Sequence, residues 1–245
     1  MQGWLEQISQ ALDNAPVPAM FFFRDDDAGW ADKQLMQLLD CFAWFAIPID
    51  LAVIPRALST SKAPVSRRVA DSRGLIGIHQ HGYSHRNHQL QGRKCEFGTQ
   101  RSYLQQWHDI KTGRDILVDA FPDQLDGIFT PPWNRCSQDT VEVLLDLEFT
   151  ALSRDNTGKP LACRMLQELP INIDWFKKQQ GLRLHYAALG GLIAQTISSR
   201  GLLGIMLHHE LMDHQERVNL SSLLELLGSH PMAKCVRMKD VLQAQ

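Results

Sequence analysis

The sequence predicts an α/β fold, a distorted (β/α) barrel of about seven to eight parallel strands in a single domain. Three observations point there. Apolar runs of strand length alternate with amphipathic stretches of helical length along the chain. At 245 residues, 44% hydrophobic and 21% charged, the chain can bury one core of barrel size. Chemistry-bearing residues recur directly after the strand-like runs, the end at which parallel α/β sheets and barrels collect their functional groups.

Taken in order, the first residues, MQGWLEQISQALDNA, set apolar groups at helical spacing without a long apolar core. Residues 1–16 therefore read as a helix appended to the barrel, and as neither signal peptide nor membrane span. The run PAMFFF follows Pro16 and Pro18, is rich in aromatics and is too short for a helix, which predicts a buried strand near 18–24. Further strands are expected near 48–54, 75–79, 127–130, 148–152, 168–172, 202–207 and 234–237. Helical patterns lie near 32–46, 100–120, 138–147, 187–199 and 217–228. Periodicity is weak over 55–72 and 154–166, which keeps a doubly wound open sheet as the alternative. No internal repeat, low-complexity tract or linker divides the chain, so residues 1–245 read as one domain.

A net charge of -2 gives no reason to expect nucleic acid or an anionic membrane as partner. Cys41, Cys95, Cys136, Cys163 and Cys235 are scattered without a C-x-x-C pair, which suits free thiols in a reducing compartment and predicts a cytoplasmic protein. Oligomeric state is not legible.

The most informative segment is Phe21-Phe22-Phe23-Arg24-Asp25-Asp26-Asp27, an apolar strand that ends in three carboxylates. Adjacent acids in a partly dry site repel one another, and a bound cation removes the conflict. The plainer alternative is that Asp26, Asp27 or Asp32 caps a helix starting near Ala31. After the third predicted strand, His79, His81, His85 and His88 fall within ten residues. His81 and His85 are four apart, a spacing that lets two imidazoles reach one ion. Chance alone gives on the order of 0.4 such pairs in a chain of this composition, so the pair gains weight only beside the acids. Thr130-Pro131-Pro132-Trp133-Asn134 follows another strand, its prolines fixing where Trp133 projects. The last strand runs into Leu207-His208-His209, where alternation lets one histidine face a pocket and leaves the other structural.

In this order the motifs resemble those of the polysaccharide deacetylase family, also called NodB-homology or carbohydrate esterase 4. Phe22 to Ala28 looks like its T-F-D-D-G motif, and His81-Gly82-Tyr83-Ser84-His85 resembles its H-[ST]-x-x-H. Thr130 to Asn134 is similar to R-P-P-[YW]-G, Asp174-Trp175 to the Asp-Trp element, and Met206 to His209 to the closing L-x-H. The resemblance covers about residues 17–240. Thr130 stands where the family has an arginine that holds the catalytic carboxylate, and Arg24 is the candidate to supply that support. The glycine after the acids is missing too. This leaves Asp25/Asp26 or Asp26/Asp27 as the working pair, with Asp26 and Asp27 preferred because Ala28 suits the glycine position better than an acid.

The resemblance implies that Asp27, His81 and His85 bind one divalent ion, zinc or else Co²⁺, Ni²⁺, Mn²⁺ or Fe²⁺. It implies Asp26 as general base on a metal-activated water, and His208 or His209 as the acid that protonates the departing amine. Asp174 would orient that imidazole, Asp25 and His79 would support the site, and Tyr83, Pro132, Trp133 and Trp175 would line a sugar-binding surface. The reaction implied is removal of an N-acetyl group from a sugar or related N-acylated amine, a small molecule or a nucleotide- or lipid-linked sugar. Deformylation or cyclic-amide hydrolysis on the same scaffold, and a catalytically inactive carbohydrate-binding relative, are the alternatives. Phosphoryl chemistry at Asp25–Asp27 is disfavoured by the paired histidines.

Overall fold

The computed structural model describes residues 3–58, 62–163 and 165–243. α1 (Gly3–Asp13) precedes β1 (Ala19–Ala28), followed by α2 (Asp32–Trp44), β2 (Ile49–Val53), α3 (Lys62–Asp71), β3 (Ile76–His81), α4 (Tyr103–Ala120), β4 (Leu125–Thr130), α5 (Gln138–Asp146) and β5 (Ala151–Leu152). Four two-residue strands come next: β6 (Gln167–Glu168), β7 (Ile173–Asp174), β8 (Lys178–Gln179) and β9 (Leu182–Arg183). α6 (Tyr186–Arg200), β10 (Leu202–Leu207), α7 (His214–Ser229), β11 (Ala233–Cys235) and α8 (Met238–Gln243) complete the chain.

All pairings in the main sheet are parallel, in the order β6-β5-β4-β3-β2-β1-β10-β7, with β11 alongside the start of β1. The two ends of that order are one stretch of chain. Residues 169 and 171 donate to Leu152 O and Arg154 O at 2.9 and 2.8 Å, and Asn172 then donates to Gly204 O on β10 at 2.9 Å. Changing neighbour halfway, this segment curls the sheet into a distorted barrel. The strand expected at 168–172 is thus split into β6 and β7 around the crossover.

Side-chain alternation sorts the core into an outer and an inner part. Phe21, Phe23, Leu51, Ile78, Leu203 and Leu207 meet the helices on the outside of the barrel. Phe22, Ile128, Ala151, Ile171 and Met206 point inward, where Met238 and Val241 of α8 join them. A separate outer cluster joins Phe129 and Leu152 to Val141 and Leu144 of α5. Both faces of β1 are covered, which explains why three consecutive phenylalanines are fully buried.

Two helices and one hairpin had no clear sequence signal. Among its described side chains α3 buries Val65 and Val69, a stripe one residue wide that periodicity does not register. α8 has six residues, too few to show a period, and β8 pairs only with β9. α1 lays Trp4, Leu5, Ile8 and Leu12 against the body of the fold. It meets α6 at Gly190, where a Cβ would come within 2.5 Å of Trp4 O.

Candidate metal centre

β1 delivers its acids to different places. Phe22, Arg24 and Asp26 face the barrel interior, whereas Phe21, Phe23 and Asp25 face the helices. Arg24, fully buried, grips Asp26 at two points, Nε to Oδ1 at 2.7 Å and Nη2 to Oδ2 at 2.9 Å. Its other N–H groups donate to Ser153 O at 3.1 Å, Ser153 Oγ at 2.8 Å and Asn134 Oδ1 at 2.8 Å. A guanidinium this deep needs such a set of acceptors, and the two-point pair fixes the direction of the carboxylate.

Asp25, on the opposite face, accepts from the His209 backbone N–H at 2.9 Å and from His209 Nδ1 at 2.6 Å. His209 Nε2 donates to Trp30 O at 2.8 Å. With an acceptor at each ring nitrogen, His209 is satisfied as an imidazolium. Burial opposes its charge, but the Asp25 carboxylate and the two hydrogen bonds prevail and push it up to about 9. The expectation that His209 is a candidate acid is corrected: its ring ties the end of β10 to β1 and has no nitrogen free for substrate.

Asp27 breaks the alternation. Its φ of 69° is left-handed, a conformation aspartate tolerates, and the β1–β2 register shifts between Asp25 and Ala28. The carboxylate consequently swings toward the end of β3. His81 donates Nδ1–H to Thr130 O at 3.1 Å, which leaves Nε2 facing Asp27 Oδ1 at 3.2 Å. His85 Nε2 reaches the same oxygen at 3.1 Å. The acids do not cap α2: the residue ahead of that helix, Ala31, has no side-chain cap.

The loop carrying His85 is held by a residue without any motif signal. Glu96 is fully buried and accepts from the backbone N–H groups of Tyr83, Ser84 and His85 at 3.3, 2.8 and 3.2 Å, and from Ser84 Oγ at 2.9 Å. Gly82 is required beside it, because its φ is 56° and a Cβ would sit 2.6 Å from the Pro132 ring.

Asp27 Oδ1 is buried and has no hydrogen-bond donor, although two imidazole nitrogens face it. Burial opposes the Asp27 charge, but His81 at 3.2 Å, with the charges of His85 and His208, holds the carboxyl well below the usual range. His81 is pushed up by Asp27 and Asp26 against the effect of its own burial, while burial and the His81 charge push His85 down to about 4. Two nitrogen lone pairs and one carboxylate oxygen, all within 4.8 Å of one another, are a mixed donor set that suits a small divalent cation.

His208 lies at the end of β10 on the interior side, half-buried, with Nδ1 buried and unpartnered. Asp174 accepts from the Phe176 N–H at 2.9 Å. Burial raises its pKa, partly offset by that bond and by the charge of His208 nearby. His79 meets Thr130 Oγ1 through Nε2 at 2.9 Å, and burial with the Arg24 charge keeps it neutral. Trp133, at φ 57°, sets its ring 4.4 Å from that of His85, and the Trp30 ring lies 5.0 Å from the same imidazole.

Two expected sugar contacts belong elsewhere. Trp175 is buried, packs edge-on against Trp4 and Tyr186 and donates Nε1–H to Glu216 at 2.8 Å. Alternation explains this: Ile173 and Trp175 point to the helices, Asp174 to the interior. Tyr83 packs against the outer cluster around Phe97. Among residues that sequence reasoning passed over, Glu96 carries no local signal. Trp30 had one, as an aromatic residue three positions beyond the acids.

The sequence matches no protein-family model and no curated protein. Solved structures do match in three dimensions. A Mycobacterium smegmatis protein assigned as a polysaccharide deacetylase superposes with a TM-score of 0.72 at 16% identity, over 94% of this chain and 91% of that one. A family 4 acetyl xylan esterase from Clostridium thermocellum, solved with a cobalt ion, gives 0.63 at 15% identity over 92% and 91%. A carbohydrate esterase 4 pseudoenzyme from Bacillus anthracis gives 0.62 at 12% identity over 93% and 66%. Among the described residues no helix is long and apolar enough to cross a membrane. The chain therefore shares the fold of these solved polysaccharide deacetylase and carbohydrate esterase structures, here a parallel sheet curled through a shared edge segment.

Proposed function

We propose that this protein is a metal-dependent hydrolase of the carbohydrate esterase 4 type, which removes an N-acetyl group from a sugar or a related N-acylated amine. One observation carries the reading: Asp27, His81 and His85 converge on a donor-free carboxylate oxygen, one residue along the strand from a carboxylate clamped by arginine. Asp27, His81 and His85 would hold a single divalent ion, zinc by the donor set, with cobalt, nickel, manganese or iron compatible. The cobalt ion reported with the Clostridium thermocellum esterase supports this. Such an ion, when bound, makes water more acidic and polarises an acyl carbonyl.

The remaining chemistry falls to the side chains. Asp26, aimed by Arg24, takes a proton from the water that attacks the acyl carbon. His208 in its protonated form gives a proton to the nitrogen as the carbon–nitrogen bond breaks, so the products are a carboxylate and an amine. Asp174, which feels the charge of His208, would orient that imidazole. Trp30 and Trp133 offer flat faces beside His85 on which a sugar ring can rest. The guanidinium that Thr130 cannot supply from β4 comes here from Arg24 on β1.

Asp26→Asn should take up metal like the parent and lose about 10²–10⁴-fold in turnover, whereas His81→Ala should lose the metal itself. Elemental analysis of protein purified without chelator, followed by a screen for acetate and formate release from N-acylated sugars, reads both. Release of formate in place of acetate would assign a deformylase. Parent-like turnover in both variants would overturn the reading.

A further inference from the structure

Next to the candidate centre, on the β4–β5 side of the barrel mouth, a cavity of about 330 Å³ is lined by Arg93, Asn134, Arg135, Arg154, Asp155 and Lys159. Four cations thus face one acid in a chain whose net charge is -2. That acid is turned toward its own loop, Asp155 Oδ1 accepting from the Thr157 N–H at 2.9 Å and from Thr157 Oγ1 at 2.6 Å.

The cations are poorly compensated. Arg154 is largely buried, pairs with Glu168 through one Nη, donates to Lys159 O at 3.0 Å through the other, and keeps a buried Nε with no acceptor. An orphaned guanidinium N–H in such a position is unfavourable unless a ligand supplies oxygen. Arg135 gives one Nη to Lys94 O at 2.9 Å, and burial together with the Arg93 charge depresses its pKa. Arg93 and Lys159 are exposed, and neither makes an ion pair among the described residues. The cavity adjoins the candidate centre through one residue: Asn134, in its wall, accepts from Arg24, the clamp on Asp26. Lys94 extends the positive field to the Trp133 ring, 5.8 Å from its centroid.

We infer that this cavity binds a phosphoryl group carried by the substrate, so that the acylated amine sits on a sugar bearing a phosphate or diphosphate. Guanidinium forks match phosphate oxygens two at a time, and a dianion balances two facing guanidiniums where one carboxylate balances only one. The substrate class rests on the hydrolase reading above. The anion site rests on its own residues.

Calorimetric titration of the zinc-loaded protein with inorganic phosphate, pyrophosphate and glucuronate tests it. The Arg93→Gln/Lys159→Gln double variant should bind phosphate and pyrophosphate about tenfold more weakly than the parent, and Arg56→Gln, which lines a separate hollow beside Trp30 and His85, should bind as the parent does. Glucuronate should bind the parent about tenfold more weakly than phosphate. Tighter binding of pyrophosphate than of phosphate would support a diphosphate substrate, and equal binding a monoester. No saturable binding, binding insensitive to the double variant because the anion sits on the zinc, or glucuronate as tight as phosphate would each overturn the proposal. Binding as expected without acyl release from any sugar phosphate would leave the anion site standing and remove the hydrolase reading.

Discussion

His208 and His209 are adjacent, yet alternation at the end of β10 sends one into the mouth and the other into a buried ion pair with Asp25. The pairing has a measurable consequence. An unfolded histidine titrates near 6.5, and His209 in the fold titrates at about 9, so the folded state keeps its proton where the unfolded chain has lost it. The stabilisation, on the order of 3 kcal/mol, is complete below pH ~6.5 and is lost as pH rises through ~9. Unfolding midpoints of the parent should fall between pH 7 and 10, and His209→Gln should start lower and change less. A parent profile parallel to that of the variant would show that the pair carries no such charge. Arg24 was legible as a candidate because it lies two residues before Asp26, which on a strand means the same face. Its other acceptors were not legible, since Ser153 lies 129 positions away.

The β3–α4 connection is the element on which the centre depends. His85 reaches Asp27 at φ 55°, and the buried Glu96 carboxylate collects three consecutive N–H groups to hold that turn. Glu96→Gln replaces one acceptor oxygen by an amide donor facing those groups. We expect a fold that survives and a zinc affinity lowered about 10–100-fold, read by competition with a chromophoric chelator. Unchanged affinity would mean that the turn holds itself. The spacing of His81 and His85 is visible in the sequence because four residues are a local interval. Glu96 is not, because a loop has no period to mark which distant residue returns to it. β1 shows the same division: its apolar run announces a strand, while the left-handed turn at Asp27 is set by the register shift against β2.

At the scale of the molecule, α1 is more than an appendage. Trp4, Leu5, Ile8 and Leu12 are buried, and Trp4 stacks edge-on with Trp175 while α1 closes against α6. At about 1.5–3 kcal/mol for each such side chain, their burial is comparable with the ~5–15 kcal/mol of net stability usual for a domain. Deleting residues 1–13 should therefore abolish cooperative unfolding or lower its midpoint by more than ~10 °C, as followed by circular dichroism. A deletion variant that melts like the parent would show the helix to be independent of the barrel.

The sequence by itself determined the fold class, the position of the long strands, the strand ends that carry chemistry and the convergent spacing of His81 with His85. All of these are encoded in local periodicity and in which faces are apolar. Only the tertiary structure decided that Asp27 leaves the alternation, that His209 is spent on Asp25, that Trp175 is core and that four cations gather beside Asn134. The physical reason is closure. Residues distant in sequence meet only when the segment 167–174 joins the two edges of the sheet, and no local pattern states which side chains that ring will bring face to face.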